Sequence, residues 1–240
     1  MKTSLGFNIS HQPDDASCGP TCLHAVYRFH GDDVLDLQDV IAGVEPLESG
    51  GTLAVHLALH ALQRGYRATI YTYNLQLFDP TWFADGVDLA EKLRDQSSAK
   101  RDARLRSATR AYLEFLALGG ELRFEELRPT LIRRYLKRRV PILTGLSATY
   151  LYESARERGS HQLVDDDVGG YPTGHFVVLC GYDKKTREVM VADPLADNPR
   201  YRSRRYPVGM QRLLGAILLG VLTYDANLLI LEPPEEDGLP

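Results

Sequence analysis

The sequence predicts an α+β fold. Two observations carry this reading. Apolar residues recur at helical spacing from about residue 18 to residue 139, with one alternating stretch among them, and strand-length apolar runs dominate from Val140 onward. Helices therefore come first and an antiparallel sheet after them.

The elements follow in order. His11-Gln12-Pro13-Asp14-Asp15 is turn chemistry. Cys18 to His30 reads as a helix: Ser17 is a candidate N-cap, Pro20 falls in the first turn, Leu23, Val26 and Tyr27 share a face, and Gly31 is a natural stop. A second helix fits Asp36 to Val44. After the break at Ser49-Gly50-Gly51, Thr52 can cap a third helix running to about Arg64, with Val55, Leu59 and Leu62 inward. Tyr66 to Tyr73 alternates and is rich in β-branched and aromatic residues, so it reads as a strand.

From about 75 to 127 the chain reads as a charged helical insertion, with Arg94, Arg101, Arg104 and Arg110 interleaved with Leu93, Leu105, Tyr112 and Leu116. A helix from Pro129 to about Arg139 follows. Strands are expected at Val140–Leu146, His175–Tyr182, Glu188–Ala192 and Asn227–Leu231, with a short helix around Val208–Leu214. Leu213 to Leu222 reads as core. The expected organisation is one domain over 1–232, with the insertion at 75–127 and a disordered acidic tail at 233–240.

Composition excludes several function classes. The 240 residues carry a formal net charge of -4, which gives no basic excess for a phosphate backbone, so no nucleic-acid partner is expected. No apolar stretch is long enough to cross a bilayer, and Met1 to Phe7 has no apolar signal region, so no membrane association is expected. Three cysteines, Cys18, Cys22 and Cys180, do not make a disulfide framework. A reducing, cytoplasmic setting is the expectation.

Three separated segments each fit one chemical role. Cys18 opens a helix, where the positive end of the helix dipole favours a nucleophilic thiolate. Gly19 beside it lets a substrate backbone approach. Gln12, in the turn leading into the helix, can point its amide back towards Cys18 and donate to an oxyanion. Gly174-His175-Phe176-Val177-Val178-Leu179 sets an imidazole at the start of a rigid strand as the base, with the glycine leaving room beside the ring. Val191-Ala192-Asp193-Pro194 ends the next strand. In an antiparallel pair that end lies near the first strand's start, so Asp193 can orient His175.

With these residues in this order, the chain resembles the papain-like cysteine peptidases that cut bacteriocin leaders after double glycines, the C39-like group. The matching residues are Gln12, Cys18-Gly19-Pro20-Thr21-Cys22-Leu23, the Gly50-Gly51-Thr52 turn, Gly174-His175-Phe176-Val177-Val178 and Ala192-Asp193-Pro194. The resemblance covers most of the chain outside 75–127. It implies a papain-like fold and acyl transfer through a thioester, without metal or organic cofactor. It also implies Cys18 as nucleophile, His175 as base, Asp193 as its orienter and Gln12 as oxyanion donor. The implied partner is a peptide or protein substrate.

This sequence departs from the family pattern in Ser17, where relatives often carry an acidic residue, in the long 154–173 loop, in the insertion, and in having no transporter or ATPase domain after it. Two other readings stay open: an acyltransferase or amidase using an amine acceptor, and a non-catalytic module that binds a peptide.

The remaining candidates have plainer readings. Cys22 and Cys180 read as core thiols. His56 and His60 stand four apart on a helix, a spacing that can bind metal, but no third ligand is in sight, so packed or solvated histidines are expected. Asp165-Asp166-Asp167 reads as a solvated loop, with a flap that greets a basic substrate segment as the functional alternative. The arginines and lysines of 128–139 read as a solvated face, and the Gly-Gly pairs as turns.

Overall fold

The structure is a computed structural model that describes residues 2–47, 50–159 and 164–234. Its element order is β1 (Lys2–Ser4), α1 (Cys18–Phe29), α2 (Leu37–Gly43), α3 (Ala54–Gln63), β2 (Arg67–Thr72), α4 (Leu89–Ala99), α5 (Ala103–Ala117) and β3 (Glu121–Arg123). There follow α6 (Pro129–Lys137), β4 (Ile142–Ser147), α7 (Ala148–Tyr152), β5 (Glu157–Arg158), β6 (Val164–Asp165), β7 (Gly174–Asp183), β8 (Glu188–Ala192), β9 (Arg205–Gly209), α8 (Met210–Leu219) and β10 (Asn227–Glu232). The class is α+β, as the sequence predicts.

One sheet of eight strands organises the molecule, in the order β3-β2-β10-β4-β7-β8-β9, with β1 also pairing to β7. β4 pairs Gly174 to Leu179 of β7, and β1 takes over the same side at Gly181 to Asp183. β7 and β8 are antiparallel, which returns Ala192 to the level of Val178 and leaves Asp193 near the start of β7. Helices α1 and α6 pack on β7 and β4, α3 on β2 and β10, and α8 on β4, β8 and β9. Every residue of β4 and those from His175 to Gly181 in β7 are buried, so both strands read as unbroken apolar runs rather than alternating ones.

The sheet differs from the expectation in three ways. It is mixed, because β3 pairs parallel to β2. It is not confined to the C-terminal part, because β2 inserts beside β10. The stretch 75–127 is not wholly helical, because Glu121–Arg123 supplies that outermost strand; three residues are too few to show a period. The helical part of the insertion packs through α5 onto α3, with Phe115 and Tyr112 buried.

Smaller corrections have local causes. Thr52 does not cap α3: Leu53 holds that position, and the Thr52 hydroxyl donates to the Glu45 carbonyl at 2.9 Å. β9 precedes the expected Val208 helix, because Tyr206 and Val208 alternate inward while Arg205, Pro207 and Gly209 face out. Only part of Leu213–Leu222 is core: Leu213, Ala216 and Ile217 are buried, whereas Leu218 and Leu222 are 47% and 54% exposed. His56 and His60 are packed, with Nδ1 of each within hydrogen-bond distance of the Glu45 carbonyl and the Tyr27 hydroxyl respectively. No cluster able to hold a metal ion occurs among the described residues. Most of the expected tail, 235–240, and residues 160–163 of the long loop lie outside the described residues. No helix among the described residues is long and apolar enough to cross a membrane.

Candidate active site

Cys18 is the first residue of α1, so its backbone N–H belongs to the turn whose donors have no acceptor within the helix. The loop before it is tied by Asp14, whose Oδ1 accepts from the Ala16 N–H at 2.9 Å and the Ser17 hydroxyl at 2.6 Å. Ser17 holds the N-cap position but caps nothing with its side chain, because that hydroxyl is committed to Asp14. Helix α1 is seated tightly. A Cβ at Gly19 would lie 2.7 Å from Thr52 Cγ2 and 3.2 Å from the Phe176 ring. Gly19 therefore serves close packing of α1 on the strand that carries the histidine, and not the approach of a substrate backbone.

His175 enters from the start of β7, is 7% exposed, and lines the same cavity as Cys18. Its Nε2 lies 2.9 Å from Asp193 Oδ1, which leaves Nδ1 as the ring nitrogen for Cys18. Burial by itself would lower its proton affinity. The Asp193 charge and hydrogen bond, with the Cys18 contact, outweigh burial and raise the imidazole to about 10. The space beside Gly174 is already filled, since a Cβ there would meet the Thr223 hydroxyl at 2.7 Å. The glycine admits Thr223 rather than leaving the ring free.

Asp193 is fully buried and well satisfied. Oδ1 faces His175 and accepts the Leu195 N–H at 2.8 Å. Oδ2 accepts the Tyr152 hydroxyl at 2.7 Å and also the Tyr206 hydroxyl. Burial raises its proton affinity, but His175 and the two tyrosines overcome that and hold the carboxyl below the usual range. Tyr152 and Tyr206 were not visible from the sequence as site residues. They arrive on α7 and β9, two short elements that carry no motif, and both phenols are pushed up by burial and by the carboxylate they face.

Gln12 sits in the loop ahead of Cys18 and is 5% exposed. Its N–H donates to Pro194 O at 3.1 Å, its side-chain amide donates one hydrogen to the Asp14 carbonyl at 2.8 Å, and Oε1 has no partner. Cys18 and His175 line the cavity, and Gln12 and Asp193 are not among its lining residues. Cys22, one turn along α1, is fully buried, and its thiol donates to the Phe176 carbonyl at 3.3 Å. Burial and the charges of Cys18 and Asp193 push that thiol up, which makes it an inert core group.

The cavity has a volume of about 580 Å³. Beyond the dyad it is lined by the Asp14–Ala16 loop, the Gly50–Thr52 turn, Thr173, Phe176, Thr223, Asp225 and Arg104 from the insertion.

A helix-borne thiol, a strand-borne imidazole and a buried carboxylate in one row constitute a Cys-His-Asp arrangement. Residues 121–213, which hold both His175 and Asp193, match the Peptidase_C39 like family. Over these residues the chain is similar to that family, in agreement with the resemblance read from the motifs. The match covers less than half of the chain and stops short of Cys18. No curated protein matches the chain. Among solved structures, the chain is similar to a C39-like peptidase from Bacillus anthracis, at 14% identity over 98% of this chain and 100% of that one, TM-score 0.49. It is also similar to the peptidase domain of ComA from Streptococcus, a bifunctional ABC transporter of a quorum-sensing pathway, at 11% identity over 95% and 98%, TM-score 0.45. Xylellain, a cysteine protease from Xylella fastidiosa, is 13% identical over 97% of this chain and 85% of that one, TM-score 0.44.

Proposed function

We propose that the protein is a cysteine peptidase that cleaves a peptide bond in a peptide or protein substrate through a Cys18 thioester. The observation that carries the proposal is the continuous chain of contacts from Cys18 to His175 and from His175 Nε2 to Asp193 Oδ1, 2.9 Å, opening on one cavity. In the first step the Cys18 thiolate attacks the scissile carbonyl. The tetrahedral oxyanion is held by the Cys18 N–H and by the Gln12 amide hydrogen that Asp14 does not use. The bond to nitrogen then breaks, and His175 gives its proton to the leaving amine. In the second step neutral His175 takes a proton from the water that attacks the thioester, the C–S bond breaks to release the acid, and the Cys18 thiolate is left beside the protonated His175, which restores the starting pair. Asp193 keeps the imidazole in the tautomer that presents Nδ1 to sulfur. The three unpaired thiols suit a reducing compartment, which supports a cytoplasmic setting.

The test is cleavage of a diverse peptide library by the intact protein, alongside alkylation of Cys18 with iodoacetamide. The reading expects cleavage that is lost in Cys18→Ala, and a label on Cys18 whose rate falls in His175→Ala. Cleavage that survives Cys18→Ala overturns it. Product that forms only when an added amine is present, and carries that amine, moves the assignment to acyl transfer.

A further inference from the structure

Asp225 lines the same cavity as Cys18 and His175, and neither the fold nor the proposed chemistry uses its charge. We propose that Asp225 is the anchor of a specificity pocket that takes a positively charged substrate side chain, arginine or lysine, beside the scissile bond. This rests on the peptidase reading above and names the substrate class.

Asp225 is 5% exposed, and its Oδ1 is buried without a hydrogen-bond partner. A buried carboxylate left in this state is costly, and proteins normally pair it or bond it fully. The side chain cannot swing away, because it lies on Gly145: a Cβ there would be 2.7 Å from both Cβ and Cγ of Asp225. The groups that face it are few. The Ala54 N–H at the start of α3 interacts with it, Tyr112 of α5 stands near it, and Arg104 of α5 acts on it through charge alone. The Arg104 guanidinium is committed elsewhere, donating to the Thr223 carbonyl at 2.9 Å and lying 4.4 Å over the Tyr224 ring.

Among the described residues no cation is hydrogen-bonded to Asp225, and the residue lines the cleft. Burial pushes its carboxyl up to about 7, against the lowering by Ala54 and Arg104, so near neutral pH an arriving cation displaces at most one proton. A guanidinium or ammonium entering from the substrate supplies the missing charge and donors together. A neutral isostere leaves the carboxylate unpaired, and sites built this way discriminate strongly.

The experiment has two arms. In the first, n-butylguanidinium is titrated into the wild-type protein against neutral n-butylurea, with binding followed by calorimetry and by protection of Cys18 from iodoacetamide. In the second, peptides that differ only by arginine or citrulline at each position around the cleaved bond are compared for kcat/KM, in wild type and Asp225→Asn. The expected result is binding of the cation and not the urea, and an arginine preference of roughly ten- to a hundredfold at one position, the worth of a hydrogen bond to a charged group. The preference and the cation binding both disappear in Asp225→Asn, in which an amide can still face Ala54.

Cation binding lost in Asp225→Asn, without cleavage of any peptide, supports the pocket and removes the peptidase reading. Equal binding of cation and urea to wild type, or an arginine preference that persists in a folded Asp225→Asn, overturns the pocket. Should Asp225→Asn not fold, the wild-type comparison of cation with urea decides alone.

Discussion

Two buried aspartates flank the cleft, and their surroundings could hardly differ more. Asp193 is reached by a histidine, two phenols and a backbone N–H. Asp225 has one helix N-terminus beside it, an orphaned oxygen and, among the described residues, no bonded cation. Burial raises the proton affinity of both. Donors reverse that effect at Asp193 and fail to reverse it at Asp225, whose carboxyl sits at about 7. The charge of a buried carboxylate is thus decided by its partners and not by its depth. The saturated site holds a geometry, and the unsaturated one waits for a ligand.

The sharpest way to break this comparison is to truncate each residue and ask for opposite signs. Asp193→Ala leaves His175 buried without its partner and is expected to cost about 3–5 kcal/mol of stability at neutral pH, read from urea unfolding. The wild-type contribution has a defined window. The folded-state imidazole is raised to about 10, so the stability it brings is fully present below the unfolded histidine value and is lost as pH rises through 10. Asp193→Ala should lack that alkaline decline. A variant as stable as wild type, with the same alkaline limb, would show that the pair contributes no net stability.

Much of the Asp193 side was legible in the sequence, and little of the Asp225 side was. Cys18, His175 and Asp193 each stand at the end of an element, and the ends of a helix and two antiparallel strands can be brought together on paper because pairing rules fix where strand ends meet. Tyr152 and Tyr206 escaped because a phenol's partner is set by tertiary packing, and neither residue sits in a pattern that announces one. Asp225 escaped for a related reason: in Thr223-Tyr224-Asp225-Ala226-Asn227 it reads as a turn residue before a strand, and only the sheet order, which sets β10 beside β4, lays it on Gly145. The glycines flanking Cys18 and His175 have a role other than the one their sequence context suggests. Space at a glycine says that something approaches, and here Thr52 and Thr223 do, not substrate.

The second prediction sharpens the comparison from the other side. The folded Asp225 carboxyl, at about 7, lies above an ordinary aspartate, so the folded state holds a proton that the unfolded chain has released between about pH 4 and pH 7. Stability should therefore fall as pH rises through that window, and by pH 8 the accumulated cost approaches a few kcal/mol, at most about 4. Arg104 and the Ala54 N–H, which face Asp225 with Tyr112, moderate this without cancelling it. Asp225→Asn cannot titrate. It should match wild type near pH 4 and exceed it by about 2–4 kcal/mol at pH 8, measured by urea unfolding at both values. A constant gap between the two proteins across that range would mean that Asp225 keeps an ordinary carboxyl and is paired after all.

The smallest expected effect tests whether saturation itself matters at Asp193. Tyr206→Phe removes one donor from Oδ2 and leaves Tyr152 in place. Phenylalanine keeps the ring, which stacks on Tyr201 at a centroid distance of 3.8 Å, so packing is preserved and the hydroxyl is the one group lost. A hydrogen bond to a charged group contributes about 1.5–3 kcal/mol, and with a second donor still on the same oxygen the low end, roughly 1.5 kcal/mol, is expected. The pH signature separates this from a packing defect. Asp193 is depressed in the fold, so its contribution is present above the unfolded aspartate value and is lost as pH falls through the folded one. With one donor fewer the carboxyl is depressed less, so Tyr206→Phe should begin to lose stability at a higher pH on acidification and converge with wild type once Asp193 is protonated in both. A deficit that stays the same size down to pH 3 would assign the hydroxyl to packing, and would mean that two donors at Asp193 are one more than the charge requires.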